Sequence, residues 1–297
     1  MGFRGEEESG HAGHAQTGAE RDRGQHSRTS PLLLLLALLL LALLAAAAIL
    51  LWRSLRENIS GTSIARDSID SAGPDPRVRL ANAAGQVRVE GVKGSRSVDY
   101  EATRYAMAAD PAAARQRASE VPLDISRENS KIVIETNGGE HTGADYTLRV
   151  PTGGSVEVES EVGDVEGSGI SGNVTVGAEA GDVRVWDVGG DVKVDAPRGD
   201  VSVGDVNTDT GSANLEFGVG DVSLEDLILG TLKASVEAGD VTLSGRFSGG
   251  GQVTVETGDI VARLPTDDTR DLTLETRLGS VSREPVDAAE TKEQQGS

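Results

Sequence analysis

Gly181-Asp182-Val183-Arg184-Val185 is one copy of a motif that returns throughout the second half of the chain. The tripeptide Gly-Asp-Val or a near relative begins at Gly163, Gly181, Gly199, Gly220, Gly239, Gly258 and Gly279. Subtracting neighbouring Gly positions gives steps of 18, 18, 21, 19, 19 and 21 residues. A period of about 20 residues is typical of a stacked repeat architecture.

Each repeat contains two short strands. Apolar and polar residues alternate after each Gly-Asp, as in Val183-Arg184-Val185, and again in a second, out-of-phase series that includes Val174-Thr175-Val176. This period of two indicates half-buried strands, and Gly and Asp suit the turns between them. Propeller blades and leucine-rich repeats have longer units or a different consensus. The pattern predicts a mainly β fold, a β-solenoid (β-helix) of short stacked strands, in which Val183, Val201, Val222 and Val241 face one narrow core.

Stacking of the repeats would place the motif aspartates in one column. The column consists of Asp164, Asp182, Asp200, Asp221, Asp240 and Asp259. Two unit charges about 4.8 Å apart in water repel by about 0.9 kcal/mol, so the column needs a compensating interaction. Hydrogen bonds from turn N–H groups are the favoured interpretation. Bound Ca²⁺, which prefers oxygen ligands, is the other; no further cofactor is expected.

The segment from Leu32 to Trp52 has no charged or polar side chain and is long enough to cross a bilayer as a helix. It continues too far for a cleavable signal peptide, so an uncleaved signal anchor is favoured. Arginines balance on its two sides: Arg21, Arg23 and Arg28 against Arg53, Arg56 and Arg66. A single span before a large C-terminal domain favours a single-pass protein of the cell membrane with the solenoid outside the cytoplasm.

The remaining segments complete a predicted domain map. Residues 1–31 are polar and predicted to be disordered, 53–76 form a linker, 77–151 form a β-rich capping region, 152–283 form the solenoid, and 284–297 form a disordered tail. A helix at about 111–120 is predicted inside the cap, because Asp110 can cap it and Pro111 suits its first position.

Composition excludes several classes of function. The net charge of -20 disfavours nucleic acid and anionic lipid as partners of the folded part, and the absence of Cys excludes disulfides and thiolate chemistry. Aromatic residues make up only 3% of the chain, which fits a thin core. Trp186 and Phe247 are expected to pack at corners, with an exposed binding aromatic as the alternative.

No catalytic residues are predicted. His141 is the only His after the predicted span, and it stands in a Gly-rich segment that predicts a loop. The sequence has no Ser-His-Asp spacing, phosphate loop or metal motif. A minor alternative is a β-helix enzyme that cleaves acidic polysaccharides through Asp200 or Asp221.

Tyr146-Thr147-Leu148-Arg149-Val150-Pro151, then Val156-Glu157-Val158 and the serial Gly-Asp-Val units resemble a large bacterial domain-of-unknown-function family of putative adhesin β-solenoids. The resemblance spans roughly Arg77 to Arg283. It implies a cell-envelope protein, often membrane-tethered, with no established catalytic residues. In the second series Asn173, Ser212 and Thr231 stand where other units suggest Asp.

Together these features favour a non-enzymatic, membrane-anchored β-solenoid that serves adhesion, scaffolding or binding in the cell envelope. Its partners would be the membrane, through one helix, and an unknown protein or cell-surface polymer. The alternative is a membrane-tethered regulatory or sensing module whose solenoid lies in the cytoplasm and binds another protein.

Overall fold

The computed structural model describes residues 59–71, 73–139, 141–265 and 272–286. The polar segment 1–31 and the membrane helix 32–52 lie outside these ranges, so both stay predictions. Within the described ranges, no helix combines the length and the apolar composition that crossing a bilayer requires.

The described part of the chain consists of strands and one helix. In chain order they are β1 (Ile59–Asp70), β2 (Arg77–Ala84), β3 (Val87–Val92), β4 (Ser97–Ala108), α1 (Pro111–Glu120), β5 (Asp124–Glu128), β6 (Lys131–Thr136), β7 (Thr142–Pro151), β8 (Ser155–Val162), β9 (Val165–Ile170), β10 (Val174–Ala178), β11 (Val183–Val188), β12 (Val192–Arg198), β13 (Val201–Val219), β14 (Val222–Ala238), β15 (Val241–Phe247), β16 (Gly251–Thr257), β17 (Ile260–Pro265), β18 (Leu272–Leu278) and β19 (Val281–Val286).

Two parallel ladders form the two main faces of a solenoid. Face A is the ladder β6, β2, β8, β10, β12, β13, β14, β16 and β18, in which each strand pairs with the next. Face B is the ladder β7, β3, β9, β11, β13, β14, β15, β17 and β19. The long strands β13 and β14 turn a corner and contribute to both faces. The predicted β-solenoid is therefore confirmed.

The repeat valines face a shared core, as their alternation predicts. Val183, Val201, Val222 and Val241 are neighbours in register on face B, and each is at most 3% exposed. On face A, Val174 pairs with Val192, and both are buried. Full burial of a valine side chain stabilises the fold by about 1.5–3 kcal/mol. Because every rung covers the next, this contribution accumulates along the axis.

Glycine occupies the corner between face A and face B because successive rungs approach too closely there for any side chain. Gly181 has a φ of 142°, and a Cβ atom on it would lie 2.3 Å from the carbonyl oxygen of Gly163 in the preceding rung. The same clash recurs along the stack, at 2.0 Å for Gly199 and 1.8 Å for Gly239. The corner thus requires glycine both for its backbone angle and for its lack of a Cβ.

The structure corrects the boundary between the cap (77–151) and the solenoid (152–283). β2 and β3 form a rung that lies between the β6–β7 rung and the β8–β9 rung. Both early rungs therefore belong to the solenoid. The physical reason is visible in 77–92, where the two-strand alternation surrounds a corner glycine, Gly85, with a φ of 122° and with Gln86 in place of Asp.

Antiparallel strands and the helix close the N-terminal end of the stack. β4 pairs with β7, β1 pairs with β4, and β5 pairs with β6, all antiparallel. Helix α1 packs on β1 and β4 and buries Ala114 and Ala118. The Asp110 carboxylate accepts the N–H groups of Ala112 and Ala113 at 2.9 Å, so the predicted helix and its cap are confirmed.

The predicted linker 53–76 is wrong over Ile59–Asp70, which is strand β1. Its polar composition and Gly61 suggest a loop, but Gly61 lies directly against α1. A Cβ atom on Gly61 would be 2.4 Å from the backbone nitrogen of Arg115. Strand β1 is held by β4 and by the helix, and neither contact is visible in the local composition.

Arg283 covers the opposite end of the solenoid. It takes a register position next to the buried Ala262, and its Nη2 donates to the carbonyl oxygen of Leu272 at 2.9 Å. A charge at a core-facing position of an edge strand discourages a further chain from adding there. The predicted tail 284–297 is wrong at its start, because β19 continues to Val286 and Glu284 pairs with Arg263. Residues 287–297 lie outside the described ranges.

Two glycine-to-alanine changes test the corner. We expect Gly181→Ala to destabilise the fold by at least about 2 kcal/mol, because the new methyl group meets the Gly163 carbonyl and the φ is unfavourable. We expect Gly167→Ala to stabilise it by about 0.5–1 kcal/mol, because a Cβ there meets no atom within 4 Å and alanine restricts the unfolded chain. Urea denaturation of both variants measures the difference, and equal effects of the two changes would contradict the corner geometry.

Candidate functional site

The motif aspartates form one continuous hydrogen-bonded column, as the sequence predicts. The Oδ1 atom of each aspartate accepts the backbone N–H of the aspartate in the next rung. The N···O distances are 3.0 Å from Asp182 to Asp164, 3.0 Å from Asp200 to Asp182, 3.0 Å from Asp221 to Asp200, 3.0 Å from Asp240 to Asp221 and 2.8 Å from Asp259 to Asp240. The favoured interpretation of the column, turn capping, is confirmed.

These hydrogen bonds oppose the repulsion between neighbouring carboxylates. A hydrogen bond to a charged group contributes about 1.5–3 kcal/mol, which exceeds the repulsion of about 0.9 kcal/mol between neighbours in water. At the last corner Asp259 accepts both the N–H and the hydroxyl of Ser280, at 2.7 and 2.9 Å. These two hydrogen bonds hold the pKa of the Asp259 carboxyl below its ordinary value.

The column extends further than the sequence motif indicates. Asp145 Oδ1 accepts the N–H of Gln86 at 2.9 Å, which brings the two earliest rungs into the same pattern. Sequence reasoning missed both residues because neither belongs to a Gly-Asp-Val unit. Their place in the sequence could have identified them. Asp145 directly precedes the strand residue Tyr146 and Gln86 directly precedes Val87, just as Asp182 directly precedes Val183.

A second, shorter column runs beside face A. Asn173 Oδ1 accepts the N–H of Asp191 at 3.1 Å, and Asp191 Oδ1 accepts the N–H and hydroxyl of Ser212 at 2.7 and 3.0 Å. Asn173 and Ser212, two of the residues that look irregular in sequence, thus take part in the same kind of contact. An amide oxygen can replace a carboxylate here because only an acceptor is required.

The described residues do not converge on a metal. Across 59–71, 73–139, 141–265 and 272–286, no group of three or more acidic or His side chains is arranged to hold an ion. In the motif column the carboxylates follow one another along the axis, each with one oxygen engaged by an N–H group. The calcium interpretation of these aspartates therefore has no supporting geometry, and it stays open to a direct test.

His141 lies in an exposed turn just before β7, with a φ of 65°. Its carbonyl oxygen accepts the N–H of Met107 at 3.1 Å, which ties the turn to the end of β4. The backbone role of this residue is therefore structural.

Face A carries a charge cluster that sequence reasoning missed. Arg79 Nη2 lies 2.6 Å from Glu159 Oε2, its Nη1 lies 3.4 Å from Glu135 Oε1, and its Nε lies 3.8 Å from Glu157 Oε1. The partners stand on the rungs on either side of β2. Along the chain, Glu135 is 56 residues from Arg79 and Glu159 is 80 residues from it. Only the stacking order of the rungs could have revealed this cluster.

Face B carries an exposed aromatic residue beside a groove. Phe247 is buried, as expected, but the expectation that Trp186 packs at a corner is wrong, because it is 40% exposed on the outer face of β11. A groove of 290 Å³ lies on the outer side of face B, next to the aspartate column. Its polar lining consists of Arg184, Asp200, Ser202, Asp221, Ser223, Asp240 and Thr242.

Replacement of one column residue separates its acceptor role from its charge. We expect Asp221→Ala to destabilise the fold by about 1 kcal/mol, because the N–H of Asp240 loses its acceptor. We expect Asp221→Asn to change stability by less than about 0.5 kcal/mol, because the amide oxygen accepts the same hydrogen bond and the repulsion falls. The free energy of unfolding in urea is the measurement, with the exposed Asp195→Ala as the control. If the Asn variant is as unstable as the Ala variant, the charge matters rather than the acceptor.

The calcium interpretation makes a contrasting prediction. We expect the melting temperature of the full chain to be the same in excess EDTA and in millimolar calcium, because the carboxylates are already engaged within the solenoid. A clear rise of the melting temperature with calcium, reversed by EDTA and lost in Asp221→Asn, would establish a structural ion in the column.

The comparisons with known proteins agree with this architecture. The model of the family Toastrack DUF4097 matches residues 97–297. A putative adhesin from Bacteroides fragilis has a similar fold, with a TM-score of 0.51 and 13% identity over 75% of this chain and 97% of that chain. A putative adhesin from Parabacteroides distasonis is also similar, with a TM-score of 0.43 and 14% identity over 75% and 97% of the two chains. No curated protein matches the chain. Since the family model covers more than half of its length, the chain belongs to the Toastrack DUF4097 family.

Proposed function

We propose that this protein is a non-enzymatic, adhesin-type β-solenoid of the cell envelope, anchored by the predicted helix at 32–52. The proposal rests on the two long, regular faces of the solenoid. The described rungs present two long faces of outward side chains at a regular spacing, with shallow grooves of 290–400 Å³ on them. Such faces suit binding to an extended or repetitive partner.

The family relationship supports this proposal. The chain belongs to the Toastrack DUF4097 family, and the Bacteroides fragilis protein of similar fold is called a putative adhesin. A signal anchor would place the solenoid outside the cytoplasm.

The local chemistry argues against the minor alternative of a polysaccharide-cleaving enzyme. Asp200 and Asp221, the residues which that alternative would use, each accept a backbone N–H of the next rung. Both carboxylates belong to the same repeated corner, and the cation that lines the groove, Arg184, contacts Asp182 at 3.5 Å rather than either of them. A general acid needs a carboxyl set apart by its environment, and the repeated corner offers no such distinction.

Surface labelling and attachment assays test the proposal. The full chain carries an epitope tag after Ser297 and is expressed in a bacterial host, and intact cells are treated with protease and with an antibody to the tag. We expect the protease to remove the tag from intact cells and, in untreated intact cells, the antibody to label it. We also expect cell aggregation or attachment to be severalfold higher than for a variant that lacks residues 77–286 but keeps the span. A tag that is protected until the cells are permeabilised would instead support the cytoplasmic regulatory module.

A further inference from the structure

Trp186 stands beside an open gap on the outer side of face B. Trp186 is 40% exposed, whereas the two described phenylalanines of the repeats, Phe217 and Phe247, are only 6% and 5% exposed. In register, Trp186 lies between Ser168 on β9 and Gly204 on β13. Both neighbours are small, so one side of the indole faces open space above Gly204.

Gly204 has no backbone reason to be glycine. Unlike the corner glycines, it has no positive φ in the region that L residues avoid, and a Cβ atom on it would meet only the carbonyl oxygen of Glu225, at 3.5 Å. A Cβ atom would therefore fit at this position. Its absence leaves a gap one residue wide between Trp186 and Glu225, which stand two rungs apart, at about 9.6 Å. This gap, the Trp186 slot, has Trp186 and Glu225 as walls and Gly204 as floor.

The far wall of the slot is a fixed carboxylate. Ser223 donates its hydroxyl hydrogen to Glu225 Oε1 at 2.8 Å, which holds the side chain on the outer face and leaves its other oxygen unengaged within the described part of the chain. A partner in the slot would thus find an aromatic face on one side and a positioned acceptor on the other.

The charges around the slot decide what could occupy it. Asp187 and Asp205 follow Trp186 and Gly204 directly, lie side by side on neighbouring rungs and are both exposed, with φ values of 55° and 51°. Neither they nor Glu225 forms an ion pair within residues 59–71, 73–139, 141–265 and 272–286. Two cations stand nearby: Arg184, whose Nη2 lies 3.5 Å from Asp182 Oδ2, and Arg246, which is in register with Ile228 on the next rung. The carboxylates outnumber them, so the local potential is negative, which favours a cation and disfavours an acidic polymer.

We propose that the Trp186 slot binds the guanidinium group of an arginine side chain presented by a basic segment of a partner protein. The planar guanidinium would stack on the indole of Trp186 in a cation–π contact and donate hydrogen bonds to the Glu225 carboxylate. A flat group of this kind matches a gap that is one residue wide. This proposal rests on the proposed binding function and names the chemistry of the partner.

The test measures binding of a fluorescein-labelled hexa-arginine peptide to the detergent-solubilised full chain by fluorescence anisotropy at about 0.15 M salt, where long-range attraction is screened. We expect Trp186→Ala to raise the dissociation constant about tenfold without any change in charge. Gly204→Gln should have a similar effect by filling the slot, and a Cβ atom at this position meets only the carbonyl oxygen of Glu225, at 3.5 Å. Thermal melting should show that both variants remain folded.

Two controls separate the slot from general attraction between opposite charges. Glu225→Gln should weaken binding severalfold, whereas Glu237→Gln, which removes the same charge from an exposed position of β14 on face A, should change the dissociation constant less than twofold. A labelled hexa-glutamine peptide should not bind.

The proposal is overturned if Trp186→Ala and Gly204→Gln bind hexa-arginine as the unmodified chain does, or if Glu237→Gln weakens binding as much as Glu225→Gln. It is also overturned if cellohexaose, a neutral oligosaccharide, competes for the slot as well as unlabelled hexa-arginine does. The cell-attachment assay separates this result from the proposed function. If cells that carry Trp186→Ala still attach, the adhesive function holds and does not depend on the slot. If the peptide binds through the slot but the cells do not attach, the slot binds arginine and the adhesive function is wrong.

Discussion

The close contact between successive Gly-Asp corners is the constraint on which the rest of the structure depends. At Gly181 the absence of a Cβ lets the corner approach the carbonyl oxygen of Gly163, and the Asp182 N–H then reaches the carboxylate of Asp164 at 3.0 Å. One residue removes steric repulsion and the other supplies a directional hydrogen bond. Because this pair of contacts recurs in almost every rung, it fixes the register of the strands on both sides of the corner. Once the register is fixed, the alternation of side chains along each strand turns the valines toward the core.

The sequence predicts the parts of the fold that depend on local periodicity. The solenoid, the inward valines, helix α1 with its Asp110 cap, and the aspartate column all follow from spacing or from adjacent residues, and the structure agrees. The errors concern contacts between distant segments. Strand β1 has linker-like composition and becomes a strand only because β4 and α1 cover it, and the β2–β3 rung enters the stack between two rungs that come later in the chain. The partners of Arg79 and the space above Gly204 depend on that stacking order and are therefore invisible in the linear pattern.

A regular backbone of this kind separates stability from binding. Inward positions and corners hold the rungs together, while outward positions such as 186, 204 and 225 are free to differ from one rung to the next without disturbing the core. A binding site can then arise from side chains that align along the axis, and its spacing is set by the distance between strands. The net charge of the chain is -20, and an exposed Trp186 next to carboxylates that form no ion pair within the described residues is the local feature that distinguishes face B from its surroundings.

Cysteine cross-linking measures the stacking of the rungs most directly, because the chain contains no cysteine of its own. Ser202 and Ser223 are outward neighbours in register, and Ser223 is paired in turn with Thr242. Neighbouring rungs stand about 4.8 Å apart, within the range of Cα separations that a disulfide can bridge, whereas alternate rungs do not. The account predicts rapid oxidation of the Ser202→Cys/Ser223→Cys and Ser223→Cys/Thr242→Cys variants and none within one chain of Ser202→Cys/Thr242→Cys. Equal cross-linking of the last pair, or failure of the first two, would contradict it.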